Sequence, residues 1–260
     1  MEQPRADAGP AARPGARIHG GPLGRDEALE LATAHALLRR ASAGHLEHAI
    51  RIYRPPAPAV VFGRRDTRLP GFQAARSAAV SLGFAPFVRV TGGRAVAYTS
   101  RSLVVDVVRR EPKSSFGAEG RFEEYGGLLA AAFRGLGVDA RVGAVPGEYC
   151  PGAHSVNARG VAKLVGTAQR AVRDAWLFSA LVVVDDGDVV RPVLERVYAH
   201  LDQPFDPASV GSLADERPGV GVDDVVRVLQ AAYGVDPAQA TAIDDATYAI
   251  AVELRPQHLA

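Results

Sequence analysis

Short strand-like segments, spaced unevenly among predicted helices, limit most strongly what this chain can fold into. They occupy residues 50–53, 59–62, 87–90, 95–99, 103–108, 138–142, 155–157, 161–169 and 175–184. A predicted helix at residues 24–43 precedes all of them, and another at 71–82 interrupts the early ones. A doubly wound fold would instead alternate strand and helix regularly. The order therefore indicates an α+β fold or a mixed α/β sheet.

The two ends of the chain differ from this middle part. Residues 1–20 are rich in Pro, Ala, Gly and Arg and lack an apolar stretch, so we predict a disordered tail rather than a secretory signal. Residues 21–260 are predicted to form a single domain that is helical from about residue 188. A domain boundary near residues 188–221 would set off a small helical appendage, but helices packed on the same sheet fit the sequence equally well.

Composition excludes several classes of function. The chain has a single cysteine among its 260 residues, which excludes an intrachain disulfide framework and fits a reducing cytoplasm. Its net charge of +1 gives no electrostatic case for nucleic acid. No apolar run approaches the ~20 residues that span a bilayer. We therefore expect a cytoplasmic protein with neither nucleic acid nor membrane as a partner.

The single cysteine, Cys150, lies in the turn-like stretch 146–152, where proline and glycine flank it on both sides. Lys163 follows thirteen residues later and is one of only two lysines, the other being Lys113. A thiol held in a turn beside a cation has the setting of an activated nucleophile. Free cysteines are also frequently buried and inert. The local sequence leaves both interpretations open.

Lys163 belongs to the predicted strand at 161–169, where strict alternation would place it on one face with Val165, Thr167 and Gln169. Simple pairing with the strand at 155–157 puts Lys163 opposite roughly Ser155. At ~3.3 Å per residue, straight strands would hold Cys150 and Lys163 too far apart. The two can act together only if the turn after Cys150 folds the chain back.

Gly92 and Gly93 follow the strand at 87–90. Adjacent glycines between strands indicate either a hairpin turn or a loop whose backbone approaches a ligand closely. Neither a dinucleotide-binding nor a P-loop glycine pattern occurs in the chain.

Three motifs together resemble the lipoate–protein ligase and lipoyl(octanoyl)transferase family. They are the Arg-x-Thr-Gly-Gly-x-Ala-Val segment from Arg89, the Gly-Glu-Tyr-Cys-Pro-Gly turn at 147–152, and the Val-Ala-Lys-Leu-Val-Gly-Thr-Ala-Gln-Arg segment at 161–170. They stand in the family's order and spacing, across about residues 25–235. The cysteine turn is most similar to the octanoyltransferases that move octanoyl from the glycine-cleavage H protein to lipoyl domains.

This resemblance implies the fold and the site. The fold would be α+β, with mixed, mostly antiparallel sheets flanked by helices, in one catalytic domain at 21–260. Cys150 would carry an octanoyl or lipoyl thioester, and Lys163 would lower the pKa of its thiol. The implied substrate-binding residues are Arg89, Thr91, Gly92, Gly93, Ala95, Gly166, Thr167 and Ala168. No metal and no cofactor are implied.

The implied partners are carrier proteins. The glycine-cleavage H protein or an acyl carrier protein would donate the acyl group, and a lipoyl domain of a 2-oxoacid dehydrogenase would accept it on a lysine.

Departures from the ligase pattern bear on the choice of reaction. Arg94 and Tyr98 stand where ligases of this family usually carry a third glycine and a histidine, and Val104 stands near the position of an asparagine. These changes favour acyl transfer over adenylate formation. An ATP-dependent lipoate ligase and a non-catalytic lipoyl-domain-binding protein remain the alternatives.

Overall fold

The structure is a computed structural model, and it describes residues 17–20, 23–24 and 26–260. Its α-helices are α1 (Glu27–Ser42), α2 (Phe72–Ser81), α3 (Ala118–Gly135), α4 (Gly187–His200), α5 (Leu213–Glu216), α6 (Val222–Ala232) and α7 (Asp245–Leu254). Each helix expected from the sequence is confirmed. Within the described residues, no helix has both the length and the apolar character needed to cross a membrane.

The strands form two sheets. They are β1 (Arg17–Gly20), β2 (His48–Tyr53), β3 (Ala59–Phe62), β4 (Ala85–Val88), β5 (Val96–Tyr98), β6 (Ser102–Arg110), β7 (Ala140–Val142), β8 (Val156–Ala158), β9 (Ala162–Val172) and β10 (Ala175–Val183). The large sheet has the order β1-β2-β6-β10-β9-β8-β7, and the small sheet has the order β4-β3-β5. Neighbours are antiparallel except for the pairs β1–β2 and β3–β4. The expected α+β fold with mixed, mostly antiparallel sheets is confirmed.

The N-terminal boundary needs correction. Residues 1–16 of the predicted disordered tail lie outside the described residues. The last four residues of that prediction, however, form β1, which pairs with β2 in parallel register from Arg17 opposite Ala49. The strand gains its backbone hydrogen bonds from the edge of β2, and a four-residue segment with one apolar side chain shows no periodicity that could reveal it.

Helices cover the two faces of the large sheet. One face carries a core of β6, β9 and β10 side chains under α3 and α6, including Phe133, Trp176 and Leu229. On the other face α1 packs against β6 and β10, and α7 packs on α1. The small sheet packs with α2 and α4 into a second core, which includes Phe62 and Leu194. The helices α4, α5 and α6 thus contribute to the same cores as the strands, whereas α7 packs on α1.

The loop at 91–94 does not join paired strands. β4 and β5 lie on opposite sides of β3, so the chain crosses the end of the small sheet between them. The hairpin interpretation of Gly92 and Gly93 is therefore wrong, and the loop remains free to approach the cysteine turn.

A β-bulge in β9 changes which side chains share a face. Asn157 pairs with Lys163, but the preceding Val156 pairs with Val165, so Leu164 is the extra residue. Val165 packs with Leu164 in the core under α3. A Cβ on Gly166 would instead lie 3.5 Å from Lys163 Cε. The prediction that Lys163 and Val165 share a face is therefore wrong, because alternation restarts after the bulge.

Candidate active site

An apolar cavity of about 670 Å³, its open mouth included, lies between the large sheet, the small sheet and α1. Its walls include Leu31, Ala34, Val61, Val104, Leu177 and Leu181. Cys150 lines the same cavity and is half-buried. The lone thiol therefore faces a space that suits an aliphatic chain.

The backbone of Cys150 adopts a conformation that is uncommon for a residue with a side chain. Its φ is 45°, in the left-handed region. Its N–H donates to the Tyr198 hydroxyl over 2.6 Å, and that hydroxyl donates to the Ala95 carbonyl over 2.9 Å. Strained backbone of this kind persists only when its surroundings hold it in place. The buried Tyr198 fulfils that role by joining the cysteine turn to the start of β5.

Hydrogen-bond donors from the 91–94 loop surround the sulfur. The Arg94 backbone N–H points at Cys150 Sγ over 3.1 Å, and Arg89 Nη2 lies 3.7 Å from the same atom. Gly93, with φ of 97°, leaves room for this approach, because a Cβ there would lie 2.6 Å from the sulfur. A dipole and a cation at these distances stabilise negative charge on the sulfur.

The Arg89 guanidinium also builds the loop that touches the sulfur. It donates to the carbonyl oxygens of Val61 (2.8 Å), Gly92 (3.0 Å) and Arg94 (2.5 Å). Arg89 therefore fixes the direction of the Arg94 N–H as well as contributing its own charge.

Lys163 is fully buried beside the same turn. Its ammonium donates to the carbonyl oxygens of Tyr149 (2.9 Å) and Cys150 (2.8 Å), and it lies 3.5 Å from Glu148 Oε2. Burial lowers the pKa of Lys163, while the charges of Cys150 and Glu148 oppose that shift. The chain does fold back after Cys150, as joint action of the two residues requires. The lysine holds the backbone of Cys150 and adds positive charge nearby.

Glu148 is a site residue that the motif contained but that sequence reasoning did not select. It is almost fully buried, and its Oε1 accepts hydrogen bonds from the Gly152 N–H (2.8 Å) and the Ser155 hydroxyl (2.9 Å). Its Oε2 faces Lys163. The carboxylate thus ties both ends of the turn to the lysine. The signal available in the sequence is an acidic residue two positions before the single cysteine, in a chain with only two lysines that could balance its charge.

The other predicted substrate-binding residues divide into two groups. Thr91, Gly166, Thr167 and Ala168 line the cavity, as does Arg89. Gly92, Gly93 and Ala95 do not line it; they shape the loop above the sulfur and anchor Tyr198.

Polar side chains interrupt the inner wall of the cavity. Ser179 donates to Asp106 over 2.6 Å, and Tyr98 donates to Glu27 over 2.5 Å. Burial raises the pKa of Asp106, and it raises the pKa of Glu27 to about 8. The positive charge of Arg51 offsets negative charge near this part of the wall through ion pairs with Glu30 and Asp106.

In the part of the chain that the structure describes, one group of side chains has the spacing of metal ligands: Glu119, Glu123 and His154. His154 stacks on Phe122 and lies 3.2 Å from Glu119. None of these three residues lines the cavity.

Comparison with known proteins agrees with this geometry. Residues 26–234 match the family model described as the lipoyl protein ligase A/B catalytic domain. A curated protein named octanoyl-[GcvH]:protein N-octanoyltransferase, from Geobacillus kaustophilus, is 30% identical over 183 residues. That alignment covers 70% of this chain and 64% of the relative, so the chain spans less than two thirds of the length of that protein.

Solved structures share the fold. A lipoate-protein ligase A bound with ATP superposes with a TM-score of 0.72 at 22% identity, covering 93% of this chain and 94% of the other. A bipartite lipoate protein ligase from Thermoplasma acidophilum, described together with its E2 lipoyl domain, gives a TM-score of 0.67 at 20% identity over 94% of this chain and 92% of the other. At these identities the likeness shows the fold alone.

Proposed function

Since this chain belongs to the lipoyl protein ligase A/B catalytic-domain family, we propose that it is an acyltransferase that carries an octanoyl group on Cys150. The donor is a carrier protein, octanoylated H protein first and acyl carrier protein second, and the acceptor is a lysine of a lipoyl domain. The observation that carries this proposal is the Cys150 thiol at an apolar cavity, with the Arg94 N–H directed at its sulfur.

The first step transfers the acyl group to the enzyme. The Cys150 sulfur attacks the octanoyl carbonyl carbon and forms a C–S bond. With octanoylated H protein as the donor, the C–N bond to the donor lysine breaks. With an acyl carrier protein as the donor, the C–S bond to its thiol breaks. The proton of the thiol leaves with the donor amine or thiol, so atoms and charge balance. The Arg94 N–H and the Arg89 guanidinium stabilise the negative charge that develops beside the sulfur.

The second step releases the product. The neutral amine of the acceptor lysine attacks the thioester carbonyl, forms the amide, and returns its proton to Cys150. No external energy source is needed. With an amide donor one amide replaces another, so the favourable aminolysis of the thioester offsets the unfavourable first step, and with a thioester donor the overall transfer is favourable. The buried ammonium of Lys163 keeps the cysteine turn in the same position through both steps.

The apolar cavity supports a medium-length aliphatic chain as the group transferred. Burial contributes about 0.8 kcal/mol per methylene. Several methylenes therefore contribute several kcal/mol, which an open surface site would not provide. Lipoyl has the same chain length and is the second acyl group that we propose.

An ATP-dependent ligase reaction has less support. The curated relative is named as a transferase, and the Arg94 side chain, at the position of the ligase pattern's third glycine, forms an ion pair with Asp66 over 3.3 Å. We also propose that residues 17–260, which include β1, act as one catalytic domain in the cytoplasm, where reducing conditions keep the single thiol free.

Intact mass spectrometry tests the proposal directly. After incubation with octanoylated H protein or octanoyl-acyl carrier protein, the chain is expected to gain the mass of one octanoyl group, and hydroxylamine should remove it. Cys150→Ala is the matched control and should gain nothing. A protein that binds lipoyl domains but gains no acyl mass from either donor would instead be non-catalytic. Activity that survives in Cys150→Ala and requires ATP would identify a ligase.

A further inference from the structure

Positive charge is concentrated in one part of the chain. Residues 59–98 contain six arginines and one acidic residue, Asp66, giving this stretch a net charge of +5 against +1 for the whole chain. The stretch spans the small sheet, α2 and the loop that touches the cysteine. The remainder of the protein is therefore acidic on balance, and the basic part lies at the candidate active site.

Three of these arginines form an exposed surface. Arg64, Arg65 and Arg68 lie on the loop between β3 and α2, and all three side chains are exposed. Within residues 17–20, 23–24 and 26–260, no carboxylate lies within ion-pair distance of them. We call these three residues the basic loop. Its charge is available to a partner because no group of the described chain neutralises it.

The basic loop is rigidly attached to the loop above the nucleophile. Gly63 packs so tightly on Gly93 that a Cβ there would lie 2.0 Å from the Gly93 carbonyl oxygen. The buried Asp66 accepts from the Gly63 N–H over 2.9 Å and pairs with Arg94, whose N–H points at Cys150 Sγ. A partner bound at the basic loop would therefore lie beside the opening to the sulfur.

The charge of the basic loop also extends to the cavity. The pKa of His258, a cavity-lining residue, is lowered to about 4, chiefly by burial and in smaller part by the charge of Arg64. Arg64 likewise opposes the half-buried Arg170, whose guanidinium donates to the Val90 carbonyl. The charge of Arg64 thus acts on a residue that lines the cavity.

We propose that the basic loop docks an acidic protein surface, namely the face of the carrier domain that presents the acyl-bearing or acyl-accepting lysine. This inference rests on the proposed function. Three exposed arginines spread along a loop suit an extended acidic surface, because charged groups at an interface rim steer the encounter and fix its orientation. A phosphate group would instead be bound by donors that converge on one point.

Binding affinity separates this proposal from catalysis. The background is Cys150→Ala, so that no acyl transfer takes place, and the probe is an unmodified lipoyl domain with acidic residues around its lysine. Changing Arg65 and Arg68 to Glu in this background should weaken lipoyl-domain binding about 10-fold or more. Raising the salt concentration from about 0.01 M to about 0.15 M should weaken binding far more when the two arginines are present than when they are replaced. Arg217→Glu with Arg227→Glu, the same charge change at exposed positions on the other side of the large sheet, should have little effect.

A second measurement separates docking from chemistry. Acylation of Cys150 by a small octanoyl thioester without a protein carrier should proceed in Arg65→Glu/Arg68→Glu within twofold of wild type. In the binding assay, an equal loss of lipoyl-domain affinity in Arg65→Glu/Arg68→Glu and in the Arg217/Arg227 control would overturn the proposal. Competition by free coenzyme A for lipoyl-domain binding would also overturn it, because it would identify a phosphate site. If the small thioester acylates no version of the protein, the proposed function fails, while the binding data still decide the docking surface.

Discussion

Lys163 Nζ donates a hydrogen bond to the carbonyl oxygen of Cys150, with 2.8 Å between the two atoms. The ammonium therefore holds the peptide of Cys150, while Arg94 and Arg89 contact the sulfur itself. These two contacts add to the sequence-based hypothesis, in which Lys163 activates the thiol. It also makes Glu148, the carboxylate partner of Lys163, part of the same unit.

Removing Lys163 should cost both stability and acylation. Lys163→Met leaves the carboxylate of Glu148 buried without its cation, and breaking a buried ion pair costs about 3–5 kcal/mol. Glu148→Gln should be destabilising for the converse reason, but the double variant should lose less than the two single changes combined. Urea unfolding of the four proteins measures this coupling. Additive losses would show that the two side chains do not act as a pair.

Glu148→Gln should also change the pH dependence of acylation. The charge of Glu148 opposes the lowering of the Lys163 pKa by burial, so its removal lowers that pKa further. The ammonium is then lost at a lower pH, and the alkaline decline of Cys150 acylation by a small thioester should move to lower pH. Glu123→Gln, an exposed acid on α3, is the control. An unchanged alkaline decline would mean that the charge on Lys163 does not support the reaction.

Gly93→Ala should abolish acylation. The new Cβ would lie 2.6 Å from Cys150 Sγ and 2.7 Å from Arg89 Nη2, at a φ of 97° that residues with side chains rarely adopt. Gly92→Ala is the neighbouring control, since its nearest neighbour would be the Gln169 carbonyl oxygen at 3.9 Å. The adduct rate measured by mass spectrometry should fall at least about 100-fold at position 93 and much less at position 92. Similar losses at both positions would contradict the close approach.

The sequence predicts most of this fold and part of the site, for identifiable reasons. Apolar periodicity predicts the longer helices and most strands, whereas the four-residue helix α5 is too short to show a period. The cysteine turn indicates Cys150 as the candidate nucleophile, which stays a prediction. The bulge at Leu164 was not visible, because a single extra residue leaves no trace in a short apolar run. The sequence also does not indicate Asp106 as a cavity residue. Valines surround it in the sequence, as in an ordinary buried strand, and its partners Arg51 and Ser179 come from distant segments. Contacts of this kind depend on the register of the strands in the sheet, and the sequence alone does not predict that register.

Glu27→Gln should flatten the dependence of stability on pH. Burial raises the pKa of Glu27 from 4.5 to about 8, so the folded protein binds a proton that the unfolded chain releases between these values. The contribution to stability is complete below about pH 4.5 and is lost as the pH rises towards 8. Urea unfolding across this range should therefore show a smaller decline for Glu27→Gln than for wild type. Glu253→Gln, at an exposed position, should follow wild type. Parallel curves for all three proteins would mean that the pKa of Glu27 is not raised in the folded protein.

Ala34→Leu should shorten the acyl chain that the enzyme accepts. Ala34 lines the cavity from α1, and it is nearly buried. The added atoms occupy space that the far end of an octanoyl group would fill, and overpacking of this kind costs about 1–3 kcal/mol where the wall cannot move. With a series of small thioesters, acylation by octanoyl should fall at least about 10-fold relative to butanoyl, since 1.4 kcal/mol corresponds to a factor of ten. Ala74→Leu, exposed on α2, should leave the preference unchanged. Equal rates for all chain lengths in Ala34→Leu would show that the acyl chain does not enter the cavity beside α1.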